Sequence, residues 1–253
     1  MPLHEATKGY ETGATAYVSG RPGYPPEALA WLREVLGAGP GRRTLEVGAG
    51  TGKFTRLLQD CGGPVVAVEP VAAMRDQLRR ACPAVEVLSG NAEAIPMPDA
   101  SVDAVVCAQA FHWFATAAAV REMRRVLVTG GRLGLIWNVR DESIPWVAAL
   151  SAITDPYEAG APRYRTGAWR RVFPAPGFDL IDERYARNAH VGSPEDVIVK
   201  RTLSVSFIAA LPPAQQDEVA RAVRALIART PDLADRAEVA FPYETAMWAY
   251  RKL

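Results

Sequence analysis

The sequence predicts an α/β protein, a mostly parallel sheet with helices on both faces. Three observations predict it. Thr44-Leu45-Glu46-Val47 is a short apolar run that ends in the alternating Gly48, Gly50 and Gly52 and passes straight into a helical pattern at Phe54, Leu57 and Leu58. Further apolar runs over 64–69, 85–88 and 101–107 are nearly continuous, as strands buried on both faces are. Helical periodicity fills the intervals, so strand and helix alternate up to Asn138 with short crossovers, which sets a topological switch beside the first strand.

Composition bounds the rest. The 253 residues suffice for one large α/β domain with an elaboration, and 49% hydrophobic with 23% charged residues is globular. A formal charge of +1 gives no ground for a nucleic-acid or anionic-membrane partner, and the pairs Arg42-Arg43, Arg79-Arg80, Arg124-Arg125 and Arg170-Arg171 are scattered as solvated faces and helix ends. Cys61, Cys82 and Cys107 form no C-x-x-C pair, which favours a reducing compartment over a disulfide framework or a metal site. The N-terminus has no apolar core of signal-peptide length, and no apolar run could cross a bilayer. The expectation is a cytoplasmic protein, a monomer or homodimer.

In chain order, residues 1–24 lack periodicity but hold Tyr10, Tyr17, Arg21 and Tyr24, costly residues for a loose tail. Pro25 or Pro26 opens a helix through Leu29, Leu32, Val35 and Leu36, closed by Gly37, Gly39 and Gly41. The helix after the glycine turn stops near Gly62-Gly63, and Pro64–Glu69 is the second strand with an acid at its tip. One carboxylate there suits the two hydroxyls of a ribose. A helix from Val71 to Arg80 and a third strand, Val85–Leu88, follow; Ser89–Asp99 is patterned without being periodic. Ser101–Cys107 is the fourth strand, delivering Gln109, Phe111, His112 and Trp113 at its C-terminal end, where open α/β sheets handle ligands. Ala117–Val128 reads as a helix, Thr129-Gly130-Gly131 as a turn, and Arg132–Asn138 as the fifth strand. Segment 140–176 is helical and loop-rich, with Trp146, Tyr157, Tyr164 and Trp169. Phe178–Asn188 reads as strand six, Ser193-Pro194-Glu195-Asp196 as a helix start, Pro212-Pro213 as another, and Val239–Tyr250 as the last strand.

The glycine turn fits neither common nucleotide loop. A G-x-G-x-x-G fingerprint from Gly48 would need glycine where Lys53 stands; a P-loop would need glycine at Val47 and a hydroxyl at Phe54. A carboxylate at Glu46 is also ill placed for a pyrophosphate and suits a zwitterionic tail beside a cation. Taken alone, the motif still allows an ordinary glycine-rich turn.

What remains, E-x-G-x-G-x-G over Glu46–Gly52, resembles motif I of the class I S-adenosylmethionine-dependent methyltransferases, and the small-molecule group that includes trans-aconitate methyltransferases is similar over nearly the whole chain. The resemblance implies a Rossmann-like seven-stranded sheet whose final pair is antiparallel. It also implies a lid over the cofactor from Tyr17 and the R-P-x-Y-P segment Arg21–Pro25, with Tyr17 and Arg21 contacting the cofactor, and a C-terminal helical cap for the acceptor built from 140–176 and 190–238. The domains would then be a lid and first helix over 1–40, a cofactor core over 41–139, and the remaining sheet with its cap over 140–253. S-adenosylmethionine, leaving as S-adenosylhomocysteine, would lie against Glu46, Gly48, Ala49, Gly50 and Gly52, then Glu69 and Pro70, then Asn91-Ala92-Glu93, and Gln109. Asn91 stands where the family usually has Asp, and its amide oxygen can still accept the adenine amine. His112 and Trp113, with Tyr24, would meet the acceptor, and His112 is the candidate catalytic residue. The expected activity is methyl transfer to oxygen, carboxylate or hydroxyl, of a small molecule. A silent S-adenosylmethionine-binding protein is the alternative, and a nicotinamide oxidoreductase is disfavoured by the missing third glycine.

Overall fold

The structure, a computed structural model, describes residues 21–253. Tyr10, and Tyr17 with its expected cofactor contact, lie outside the described residues. Seven strands form one sheet in the order β3-β2-β1-β4-β5-β7-β6. They are β1 (Thr44–Val47), β2 (Val65–Val68), β3 (Glu86–Leu88), β4 (Val102–Ala108), β5 (Leu127–Arg140), β6 (Phe178–Gly192) and β7 (Val239–Lys252). β1 pairs in parallel with β2 and with β4, so the chain reverses its winding direction between those two neighbours, as the alternation of elements predicts. β7 runs against both its neighbours: Thr245 Oγ1 donates to Asn138 Oδ1 at 2.6 Å on β5, and Leu253 N to the Gly177 carbonyl at 3.0 Å beside β6.

Alternate residues of the central strands go to opposite faces, as the pleat requires. Val105, Cys107, Leu135, Trp137, Trp248 and Tyr250 bury in one core, while Val106, Ala108, Ile136, Met247 and Ala249 bury in the other. The second core is covered by α1 (Pro26–Glu34), α2 (Lys53–Gln59) and α3 (Ala72–Ala81). Proline at its first turn starts α1, and Trp31 lies fully buried with its indole N–H donating to Asp182 Oδ2 at 2.9 Å. On the first face α4 (Ala117–Val126) starts at Thr116, whose hydroxyl accepts from Ala119 N at 3.1 Å, a cap worth about 1 kcal/mol.

The expected helix to Val128 and turn at Thr129–Gly131 resolve differently: α4 stops at Val126 and β5 begins at once. Leu127 pairs with Val102 and Arg132 with Ala104, so residues 128–131 stand opposite Asp103 alone. This bulge needs glycine. Gly130 has φ +76°, and a Cβ on Gly131 would sit 2.8 Å from the Val128 carbonyl oxygen.

The chain forms two compact units. The sheet unit comprises Tyr24–Val139, Pro162–Ala186 and Thr245–Leu253; the helical unit comprises Arg140–Ala161 and Arg187–Glu244 with residues 21–23. Segment 140–176, expected to act wholly as a cap, is thus divided. Trp169 is 2% exposed among Trp137, Trp248 and Tyr164 in the sheet unit, and burying so large a ring draws its segment to that core. In the helical unit α5 (Pro145–Thr154) packs along α6 (Pro213–Arg229), burying Val147 and Leu150 on one and Val219, Val223 and Leu226 on the other. The helix expected from Ser193 begins as a π-helical stretch, Glu195–Lys200, with Ser193 Oγ accepting from Asp196 N at 3.2 Å.

β6 closes one end of the sheet and is its longest strand, 15 residues with Leu180, Ile181, Tyr185 and Val191 exposed. Among the described residues no helix is long and apolar enough to cross a membrane.

Candidate cofactor and acceptor site

The three glycines after β1 have φ of +75° (Gly48), +57° (Gly50) and +87° (Gly52), dihedrals that a side chain resists. Only two are also needed for space. A Cβ on Gly48 would lie 2.7 Å from Ala110 Cβ and 3.2 Å from Phe114 Cε1, so the loop is pressed against the turn that follows β4. One on Gly52 would meet Leu78 Cγ at 3.2 Å, whereas at Gly50 nothing is nearer than Met74 Sδ at 3.8 Å.

Glu69 ends β2 and is 4% exposed. Its Oε2 accepts from Gly50 N and its Oε1 from Val71 N, each at 2.9 Å, while Arg75 donates to the carbonyls of Glu69 and Pro70. Burial raises its pKa, opposed by the two amides and by Arg75. The carboxylate therefore braces the glycine loop, and its unused lone pairs stand beside Gly50. A phosphate there would face an acceptor, whereas ribose hydroxyls would donate to it.

Glu46, 1% exposed, accepts from Thr55 Oγ1 at 2.6 Å and so ties β1 to α2. Burial, with Glu69 nearby and Thr55 opposing, pushes its pKa up to about 8. Burial that raises the carboxyl in this way weakens its charge near neutral pH, so spacing weighs more than the charge of Glu46 in separating this turn from a pyrophosphate loop.

Asn91-Ala92-Glu93 is a closed turn. Asn91 Oδ1 accepts from Glu93 N at 2.9 Å, and Glu93 accepts from Thr116 Oγ1 at 2.8 Å, which ties the turn to the start of α4. One lone pair of the Asn91 oxygen is thus engaged and the other is left for a ligand. Gln109 ends β4 with φ +59°, a rare conformation for a residue with a side chain, held by its N–H to the Ile136 carbonyl at 2.9 Å. Glycine loop, Glu69 and Gln109 all stand at C-terminal strand ends, on both sides of the β1–β4 reversal. Tyr24 packs edge-on to Phe54 of α2, centroids 4.8 Å apart, and Arg21 donates to the Ser204 carbonyl at 3.2 Å within the helical unit.

His112 lies on the single 3-10 turn Phe111–Trp113, its ring 5.4 Å from that of Trp113. Trp137 Nε1 donates to His112 Nδ1 at 3.0 Å. An indole nitrogen can only donate, so the neutral imidazole carries its proton on Nε2. To act as a base through Nε2 the ring would have to turn an Nδ1–H against the indole N–H. The sequence singled out neither Trp137 nor Arg75. Trp137 is one apolar residue in a buried strand, 25 positions from His112, and only the sheet order brings them together.

This sheet order, with an E-x-G-x-G-x-G turn at its reversal and an acid closing the second strand, is that of a class I S-adenosylmethionine-dependent methyltransferase. A family profile described as a methyltransferase domain matches residues 45–135. An uncharacterized methyltransferase of Mycobacterium tuberculosis is 40% identical over 234 residues, covering 91% of this chain and 90% of its own. An uncharacterized methyltransferase-like protein of Schizosaccharomyces pombe is 33% identical over 246 residues, covering 97% and 96%. The chain belongs to this methyltransferase family. Among solved structures, geranyl diphosphate C-methyltransferase from Streptomyces coelicolor, in complex with Mg2+, geranyl diphosphate and S-adenosylhomocysteine, shares the fold at a TM-score of 0.50 and 16% identity, covering 90% of this chain and 79% of its own.

Proposed function

We propose that this methyltransferase acts on an oxygen of a small molecule, with a carboxylate as the acceptor group, and that S-adenosylmethionine is held by the residues around the glycine loop. When bound, the cofactor supplies a methyl group activated by its sulfonium. The backbone of the Gly48–Gly52 turn and that at Gln109 would lie against its amino-acid tail, with Glu69 at its ribose and the Asn91–Glu93 turn at its adenine. The closed hydrogen bonds of Glu69 and Asn91 support this reading, since both side chains are fixed before any ligand arrives and each keeps acceptor capacity.

The hydrogen bond from Trp137 to His112 carries the choice of acceptor. It makes His112 a donor at Nε2, suited to orienting an oxygen that is already anionic, and unsuited to removing a proton from an alcohol. A carboxylate is ionised at neutral pH and needs no base; alignment and exclusion of water then provide the rate. A panel of carboxylic acids, phenols and alcohols with labelled methyl donor tests this. Label should appear in base-labile methyl esters, and His112→Ala should lower turnover about tenfold or more at unchanged cofactor affinity, the scale of one misplaced orienting group. A clear preference for alcohols would overturn the acceptor assignment, and cofactor binding without transfer to any acceptor would favour the silent protein.

A further inference from the structure

Buried charges in proteins are normally paired, because an ion removed from water without a partner is costly. The interior of the helical unit departs from this. Arg201, on the short turn Arg201–Leu203, is 8% exposed, and its Nε and Nη1 have no hydrogen-bond partner. Tyr243, on β7, is 3% exposed, and its hydroxyl stands beside the Arg201 guanidinium with no other partner among the described residues. Two more guanidinium groups are close. Arg21 donates to the carbonyl of Ser204, three residues beyond Arg201, and Arg140 lies over the Phe241 ring, 5.8 Å from its centroid, next to Tyr243 on the same strand. Burial and the charges of Arg21 and Arg140 push the Arg201 pKa down to about 9, and Tyr243 opposes them. Among the described residues no carboxylate acts on Arg201, whereas Glu142 and Asp155 act on Arg140.

Replacing a buried, unpaired charge by an apolar side chain of similar volume is often neutral or stabilising, so Arg201 is a cost to the fold. Its orphaned N–H groups have the fork geometry that takes carboxylate or phosphate oxygens in pairs. We propose that Arg201, flanked by Arg140, Arg21 and the Tyr243 hydroxyl, is an oxyanion-binding site within the helical unit whose occupant is the carboxylate or phosphate group of a small molecule. Anion binding here stands on these residues alone and is independent of the methyl-transfer reading above.

The test uses the full chain without cofactor, titrated calorimetrically with tricarballylate and separately with inorganic phosphate, and heated with and without each. Wild type should bind at least one with sub-millimolar Kd and rise in Tm. A response to tricarballylate alone assigns a carboxylate group, and a response to phosphate alone a phosphate ester. Arg201→Met should raise the Tm of the ligand-free protein and abolish the anion response, and Tyr243→Phe should weaken the response about tenfold, while both variants bind S-adenosylhomocysteine as wild type does. No response in wild type, or an unchanged response in Arg201→Met, would overturn the site, as would a lower ligand-free Tm in that variant. Loss of S-adenosylhomocysteine binding in wild type itself would instead sink the cofactor reading and leave the anion site standing.

Discussion

Two buried ionisable groups, one in each unit, are treated in opposite ways. Glu69 in the sheet unit has both carboxylate oxygens engaged by backbone amides, and Arg75 donates to the Glu69 carbonyl and to that of Pro70. Arg201 in the helical unit has two nitrogens engaged by nothing. The first group is satisfied by the fold; the second is left unsatisfied by it. The sheet unit thus satisfies its buried charge with backbone at a strand end, whereas the helical unit leaves one unmet, which a change of a few side chains could redirect.

If the sheet unit is a settled framework, substitutions there should cost stability and affinity together, opposite to the gain expected at Arg201. The largest loss belongs to Gly48→Ala, which combines a positive φ with a methyl 2.7 Å from Ala110 Cβ. Strain of about 1–2 kcal/mol and overpacking of about 1–3 kcal/mol should lower Tm by many degrees and abolish calorimetric cofactor binding. Gly50→Ala, with 3.8 Å to its nearest neighbour, should show the strain alone. Equal losses at both would show that packing against Ala110 is irrelevant.

Second comes the pH response of Glu46, whose folded pKa of about 8 exceeds its ordinary value. A carboxylic acid raised in this way binds its proton more tightly when folded. Its contribution is therefore intact below the unfolded pKa near 4.5 and is lost as pH climbs toward 8. Each tenfold of proton affinity is about 1.4 kcal/mol, so the decline amounts to a few kcal/mol. Glu46→Gln should flatten it, and Tm against pH for the two proteins is the measurement. Parallel curves would mean that Glu46 is ionised in the folded protein.

Glu69→Gln comes third, since it sets an NH2 against one of two amide donors. A buried donor left unmatched costs about 1–3 kcal/mol, so S-adenosylhomocysteine affinity should fall about 5- to 150-fold. The smallest effect is expected of Asn91→Asp, because either oxygen can accept from Glu93 N; affinity should stay within about threefold, below the worth of one net hydrogen bond. A tenfold gain would show that the amide handicaps adenine binding.

What sequence made legible was local. The glycine turn, the acid at the tip of β2 and the strand–helix alternation are written in consecutive residues whose backbone conformation follows from their chemistry. Phe178 and Val239 start strands where expected, since each follows turn residues and opens an apolar or alternating run. The rest depended on contacts between distant positions. Trp169 reads as one more aromatic of a loop, and only Trp137 and Trp248 beside it make it core. Gly130-Gly131 has the look of a terminating turn, yet the register with β4 makes it a bulge within a strand. The role of Glu46 hinged on its burial, which no motif states, and an unpaired Arg201 cannot be told from a solvated one by its neighbours in sequence.

The strand at the rim has a consequence for how the protein survives at high concentration. β6 is the last strand of the sheet order and pairs with β7 alone among the described strands, and Leu180, Ile181 and Tyr185 are exposed on it. Such a margin invites another chain to add itself in register. Asp179, Asp182, Glu183, Arg184 and Arg187 interrupt those apolar residues, and a second copy laid alongside would bring like charges together and strand them away from water. Their mixed signs serve as gatekeepers against fibre growth.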